Sequence, residues 1–296
     1  MDNSQYSISD DLSVGYSSTM GNRIGMEDGV CFKYYDQNDT QLLALFDGHS
    51  GNVSSTTASK CLVYEIAKIV DKSNEEFFET FPVTIETVNN ILKSLKVADG
   101  STVATAVIRG KNCYVAGIGD SRIIRIKRDT LERITTDNKP LIKSELRRLQ
   151  DNGFMVNSEG RINRKLAVSR AIGDFWVGDN DLFVKPTIKV FEIDEDDLGL
   201  IIACDGLWDV ISDQKAAEIF REAQTAVDAA TLLKNYAFAL QSKDNITVLT
   251  VNFKPKEDEK GIVYKNTVEI LPPQNVNDED EELGLPAPPR PVRRRR

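Results

Sequence analysis

Apolar and polar positions along the chain alternate between two rhythms, one of period two and one of period three to four. Stretches 12–20 and 30–35 have strand character and flank the polar loop Gly21-Asn22-Arg23-Ile24-Gly25-Met26-Glu27-Asp28. Leu43, Ala44, Leu45 and Phe46 form an unbroken apolar run, the pattern of a strand buried on both faces, and the run stops at Asp47-Gly48-His49-Ser50-Gly51. Helical spacing follows over 56–70, through Leu62, Ile66 and Ile69, and over 84–97, through Val88, Ile91, Leu92 and Leu95. Three strands are predicted within 103–126, joined at Arg109-Gly110-Lys111-Asn112 and Gly119-Asp120-Ser121, and such short turns predict antiparallel pairing. Stretch 141–152 reads as a helix closed by Gly153, and 187–193 alternates like a strand. A second apolar run, 200–204, stops at Asp205-Gly206-Leu207-Trp208-Asp209. Helices over 212–223 and 226–242 precede a last strand over 245–253, entered through Lys243-Asp244-Asn245. Strands and helices grouped in these blocks predict an α+β architecture with largely antiparallel sheets.

Composition bounds the class. The 296 residues are 41% hydrophobic and 28% charged, which describes a soluble globular chain with a large core. No Gly/Ser-rich or Pro-rich linker interrupts the first 250 or so residues, so one domain is expected over 11–255, between a loose polar stretch 1–10 and a tail 256–296. The formal charge of −9 argues against general nucleic-acid binding, which needs a basic face, and suits bound cations. Cys31, Cys61, Cys113 and Cys204 have neither CxxC pairing nor zinc-finger spacing and read as reduced, buried thiols. There is no apolar signal core, no run long enough to span a bilayer, and Asp2 stands where myristoylation needs glycine; an intracellular, cytoplasmic protein is expected.

The tail changes character through KPKEDEK, the acidic run 278–282 and PAPPRPVRRRR, and reads as a solvated appendage. Without the last five arginines the formal charge falls from −9 to −14. Pro288-Pro289-Arg290-Pro291-Val292-Arg293 has the proline spacing and Arg of a polyproline-II ligand for an SH3-like partner, with a disordered terminus as the alternative. Residues 293–296 suit nuclear import, anionic lipid or contact with the acidic run.

Taken singly, each Asp-Gly pair is an ordinary turn signal, and the Arg23, Glu27, Asp28 group is an ordinary surface ion-pair cluster. Taken together, Asp47 and Asp205 stand where apolar runs stop and Asp244 stands just before a strand, so two sheets could bring the three carboxylates together. Converging carboxylates repel in a low-dielectric cleft, and proton uptake or bound cations are the remedies. Oxygen donors without a His or Cys cluster favour Mg²⁺ or Mn²⁺, and two such ions can orient a hydroxide for attack on phosphorus. His49, the only histidine, can titrate near neutral pH; its alternative role is that of a hydrogen-bonded structural residue.

Seven motifs in order, GNRIGMEDG, LFDGHSG, DGSTVATAVI, VAGIGDSRIIRI, LAVSRAIGD, ACDGLWDVIS and KDNITVLTV, show that the sequence resembles the type 2C (PPM-type) metal-dependent protein serine/threonine phosphatases over about 13–253. The resemblance implies a sandwich of two antiparallel β-sheets flanked by helices, and hydrolysis of phosphoserine and phosphothreonine in phosphorylated protein substrates. It implies a two-metal centre of Mg²⁺ or Mn²⁺ on Glu27, Asp47, the backbone carbonyl of Gly48, Asp205 and Asp244, with Asp47 bridging. Arg23 falls at the phosphate-binding position, where a guanidinium can grip phosphate oxygens in a fork, and His49 at the position of the proposed general acid. Asp28 falls behind the ligands and Asn245 beside the last one, while a weaker third ion falls on Asp120 and Asp205 with Asp209 close by. Trp208 reads as a packing residue, and 166–174 as support in which Asp174 reaches an outer layer of the site. Ser50 and Asn138 depart from the glycine and histidine that many members carry there, and 173–186 looks short where the family often has a flap, so substrate selection does not transfer. Two other functions remain open: a catalytically dead scaffold, against which the retained acids and Arg23 argue, and a phosphatase of a small phosphorylated metabolite.

Overall fold

The structure, a computed structural model, describes residues 2–9, 12–178 and 181–254. The first half contains β1 (Asp2–Ser9), β2 (Leu12–Thr19), β3 (Gly29–Tyr35), β4 (Thr40–Phe46), β5 (Gly48–His49), α1 (Val53–Ala67), α2 (Asn74–Ser94), β6 (Gly100–Ser101), β7 (Val103–Arg109), β8 (Asn112–Ile118) and β9 (Arg122–Lys127). There follow β10 (Leu131–Arg133), α3 (Lys143–Asp151), β11 (Ile172–Gly173), α4 (Asp181–Val184), β12 (Thr187–Glu192), β13 (Asp197–Ala203), α5 (Asp205–Trp208), α6 (Asp213–Glu222), α7 (Ala226–Ala239) and β14 (Ile246–Asn252).

Two antiparallel sheets stack face to face, one in the order β1-β2-β14-β13-β9-β10 and the other β12-β8-β7-β4-β3, with a small third sheet β11-β6-β5. The alternation of side chains along β4 shows why. Leu43 and Leu45 point at the other sheet and join Ala104, Ala106, Leu200, Ile202, Leu249 and Val251 in the layer between the two. Leu42, Ala44 and Phe46 point the opposite way, onto Leu62 and Ile66 of α1 and Phe77 and Phe81 of α2. The outer face of the other sheet is covered in the same manner, Ile201, Ala203 and Val248 packing on Phe220 of α6 and Ala229, Ala230 and Leu233 of α7. Each large side chain buried this way contributes about 1.5–3 kcal/mol, so three apolar layers hold the helix-sheet-sheet-helix sandwich together. The four cysteines are buried free thiols, and no helix among the described residues is long and apolar enough to cross a membrane.

Several elements differ from expectation. The N-terminal stretch expected to be loose is an edge strand, β1, paired antiparallel with β2 from Asp2 opposite Ser18 to Ser9 opposite Leu12. A backbone ladder needs no apolar side chains, so hydropathy does not signal it. Helix α2 starts ten residues before the expected position, because Ser73 and Glu76 form a reciprocal capping box and Phe77 and Phe81 anchor the first turns, which outweighs Pro82 within the helix. The three strands of 103–126 are present, but only β7 and β8 form a hairpin; at Gly119-Asp120-Ser121 the chain crosses from one sheet to the other, and β9 pairs with β13 and β10. The tail with its acidic run, SH3-like motif and terminal arginines lies outside the described residues.

Two further devices orient what surrounds the strand ends. Asn52 gives α1 no side-chain cap; Asp99, 4% exposed, supplies it from across the fold by accepting from the Val53 N–H (2.7 Å), the Ser54 N–H (3.1 Å) and the Ser54 hydroxyl (2.7 Å). Asp99→Ala leaves these buried donors unpaired and should cost about 2–3 kcal/mol, read from the midpoint of urea unfolding. A satellite cluster of Leu149, Ile162, Leu166, Val168 and Phe183 is fastened by Glu145, whose carboxylate accepts from Arg148, Arg170 and Ser169. Those bonds outweigh burial and hold Glu145 down at about 2.

Candidate active site

The strands of both sheets deliver acids to one edge of the sandwich. In one sheet β4 hands off directly to Asp47, while in the other β13 passes through Cys204 to Asp205, the first residue of α5. Asp244 precedes β14, Glu27 and Asp28 precede β3, and Asp120 sits in the crossing between β8 and β9. Carboxylate oxygens of Asp47, Asp120 and Asp205 lie within 4.8 Å of one another. They open into a cleft of about 810 Å³ that is also lined by Arg23, Glu27, Gly48, His49, Asp209 and Asp244. Asp28 and Asn245 stand behind this lining.

Backbone contacts fix the acids. The Asp47 N–H donates to the Thr102 hydroxyl (3.0 Å), while its carbonyl accepts from the Thr102 N–H (2.9 Å) and the Ser101 hydroxyl (3.1 Å). Gly48 lies so close to β3's entry that a Cβ would stand 2.3 Å from the Glu27 carbonyl oxygen, so only glycine fits. Asn245 ties two loops together: its Oδ1 accepts from the Glu27 N–H (2.8 Å) and its Nδ2 donates to the carbonyls of Met20 and Gly25 (2.9 Å each). Arg23, half exposed on this loop, donates through Nη2 to Asp244 Oδ2 (2.5 Å) and through Nε to the Lys243 carbonyl (3.2 Å).

Crowding leaves its mark on the charges. Burial, followed by the like charges of Asp28, Asp205, Asp120 and Asp244, pushes Asp47 well above the carboxylate range. Burial together with Asp120 and Asp209 lifts Asp205 to about 8. Both oxygens of Asp28 are buried with no hydrogen-bond partner, and burial lifts it to about 6 although Thr247 and Cys204 nearby oppose the shift. Besides Arg23 on Asp244, Lys139 offsets this charge: its ammonium touches Asp120 Oδ2 and lies 3.8 Å from Asp205 Oδ2. Asn138 holds that loop, donating its N–H to the Gly119 carbonyl (2.7 Å) and accepting the Gly119 N–H on Oδ1 (3.0 Å). Nothing in the local sequence around Asn138 marks Lys139 as part of the site; packing alone brings it to Asp120 and Asp205.

His49 sits on β5 with Nε2 2.6 Å from Asp174 Oδ2, and Asp174 accepts the Trp176 indole N–H on its other oxygen (2.9 Å). Burial disfavours a charged imidazole, but the bond to Asp174 and its charge outweigh that, and His49 is raised above the ordinary histidine value. Asp174 was placed by sequence in an outer layer of the site, and it stands directly behind the ring. Trp208 packs under α5 with its indole N–H on the Ala203 carbonyl, as a packing residue should.

The donor set can be tested for fit. Asp47, Asp120 and Asp205 offer only carboxylate oxygen, crowded and partly buried, which matches a hard divalent cation. A second close group, Asp28, Asp47 and Cys204, does not match a soft one: the Cys204 thiol is spent on the Asn245 carbonyl (3.4 Å) and the Thr247 N–H (3.2 Å), and burial keeps it protonated.

Residues 12–246 match the family model of protein phosphatase 2C. The chain belongs to this family. The probable protein phosphatase 2C 7 of Oryza sativa subsp. japonica is 35% identical over 249 residues, covering 82% of this chain and 66% of the rice protein. The probable protein phosphatase 2C 52 of the same plant is 34% identical over 255 residues, covering 82% of this chain and 51% of the rice protein. The chain thus spans between half and two thirds of the length of these two relatives. A crystal structure of a serine-threonine phosphatase 2C from Toxoplasma gondii shares the fold with a TM-score of 0.70 at 24% identity, covering 86% of this chain and 99% of the other. Ser50, next to His49 at the cleft, adopts a φ of +63°. Glycine enters that region freely, whereas a side chain raises the cost by about 1–2 kcal/mol.

Proposed function

We propose that this chain hydrolyses phosphoserine and phosphothreonine in proteins with the help of two divalent cations, Mg²⁺ or Mn²⁺. The convergence of Asp47, Asp120 and Asp205 within 4.8 Å, under a cleft edged by Arg23, carries this reading. Glu27, Asp47, the Gly48 carbonyl, Asp205 and Asp244 would hold the two ions, Asp47 between them, and a third would meet Asp120, Asp205 and Asp209. Such ions, when bound, supply positive charge to the phosphoryl oxygens and a nucleophile usable at neutral pH.

The protein's own groups do the rest. Arg23 can release Asp244 and grip two phosphate oxygens, being half exposed at the cleft edge. His49 holds a proton for the serine or threonine oxygen as it leaves, and Asp174 fixes the ring from behind. Asn245 ties the Glu27 loop to the chain beside Asp244, and Asp28 stands behind the ligands. The unpaired buried cysteines support an intracellular location, cytoplasmic or nuclear.

The test is phosphopeptide hydrolysis with Mn²⁺ or Mg²⁺ before and after chelation, with phosphorylated metabolites in parallel. Turnover of phosphopeptides should vanish on chelation and return with the ion; turnover that survives thorough chelation would sink the proposal. Hydrolysis of metabolites alone would favour the small-molecule reading, and no hydrolysis of either would favour the scaffold.

A further inference from the structure

The cleft divides its charge. Its floor is acidic, and the two cations on that floor are engaged, Arg23 with Asp244 and Lys139 with Asp120 and Asp205. The opposite wall comes from the satellite cluster and presents Arg161, Lys165 and Trp176. Both cations are exposed, as is their neighbour Arg164, and among the described residues none of the three has a carboxylate within ion-pair distance. Arg161 and Lys165 thus face the acidic floor across the cleft, with Arg164 beside them.

Their display is built in. Ile162 pairs with Val156 and with Leu166, and Ile162 and Leu166 are buried, so the residues between and beside them are turned outward. Asn163 and Arg164 take φ values of +50° and +64° to close this turn. Arg161 spends one guanidinium nitrogen on the Lys165 carbonyl (2.7 Å), which fixes its stem. The Lys165 ammonium lies 5.2 Å from the centre of the Trp176 ring, and Trp176, 44% exposed, is held by its N–H on buried Asp174. An indole fixed at one edge offers a flat apolar floor at low entropic cost, with a cation above it.

We propose that Arg161, Lys165 and Trp176 select phosphopeptides that carry an acidic residue beside the phosphorylated one. The methylenes of that acidic side chain pack on Trp176, and its carboxylate meets Lys165 and Arg161 while the phosphate enters the acidic floor. The inference rests on the phosphopeptide reading above and adds the sequence context that the wall prefers.

The experiment compares kcat/KM for phosphopeptides with Glu, Ala or Lys placed on each side of the phosphoserine, each value divided by the same enzyme's rate on p-nitrophenyl phosphate. On at least one side the order should be Glu, Ala, Lys, with about a fivefold to tenfold span at low salt that shrinks as salt rises. The double variant R161E/K165E should invert the order, and Trp176→Ala should flatten it by raising KM for the Glu peptide, with thermal unfolding confirming that each variant is folded. Hydrolysis of all peptides with no dependence on the flanking charge would overturn this inference and leave the phosphatase reading intact. Hydrolysis of p-nitrophenyl phosphate but of no peptide would overturn both.

Discussion

Asp205→Asn should abolish turnover and remove most of the affinity for divalent cations. The substitution keeps the shape of the side chain and deletes one of the charges that meet at the ends of the two sheets, so lost ion binding is the direct cause. Its effect on stability has the opposite sign. Burial and the like charges of Asp120 and Asp209 raise Asp205 in the folded chain, so without cations its ionisation destabilises the fold. A carboxylate raised in this way contributes stability below its unfolded value near pH 4, and that contribution is lost as pH climbs through the folded value. The variant without cations should therefore melt higher than the cation-free wild type at neutral pH, and its melting temperature should depend less on pH between 4 and 8. Addition of Mn²⁺ should raise the melting temperature of the wild type and barely move the variant. Scanning calorimetry, titration calorimetry and turnover on one preparation check all of this; wild-type ion affinity with wild-type turnover in the variant refutes the assignment.

His49→Asn should lower phosphopeptide hydrolysis by about 10²- to 10⁴-fold, the range for loss of general acid help, and lower p-nitrophenyl phosphate hydrolysis much less. Serine and threonine leave as strongly basic alkoxides unless protonated, whereas nitrophenolate leaves without help. The imidazole is equipped for this, since Asp174 holds Nε2 at 2.6 Å and keeps the ring above its ordinary proton affinity. Ion affinity is measured alongside, because damage to the neighbouring Asp47 and Gly48 would slow both substrates together. Equal losses with unchanged ion affinity assign His49 a structural role.

What could be read before folding and what could not divide along a physical line. The runs ending at Asp47 and Asp205 are visible because a strand buried on both faces is continuously apolar, and any polar residue that ends it marks the place where the chain reaches the sheet edge. Neither run reveals which sheet it belongs to. That depends on the crossing at Gly119-Asp120-Ser121, whose local sequence is that of a hairpin turn, and it is this crossing that brings Asp120 opposite Asp47. Lys139 and Asp99 were not legible as partners because their contacts span at least 19 and 45 residues and follow from packing, not from local pattern. Pro82 hid the start of α2, since a proline in a helix costs about 3 kcal/mol on its own and only the cap and the buried phenylalanines offset it.

Because Asp47 belongs to one sheet and Asp205 and Asp244 to the other, the spacing of the acids is inherited from the apolar layer that separates the sheets. That layer includes small residues, Ala104 and Ala106, facing larger ones, Leu200, Ile202 and Leu249. Enlarging or trimming a side chain there shifts the sheets by tenths of an ångström, and with them the size of the hole the carboxylates enclose. Mg²⁺ demands near-ideal short bonds, whereas larger ions tolerate a looser cage. An ion held by these carboxylates would therefore be selected partly by the hydrocarbon core, several residues away from the oxygens themselves.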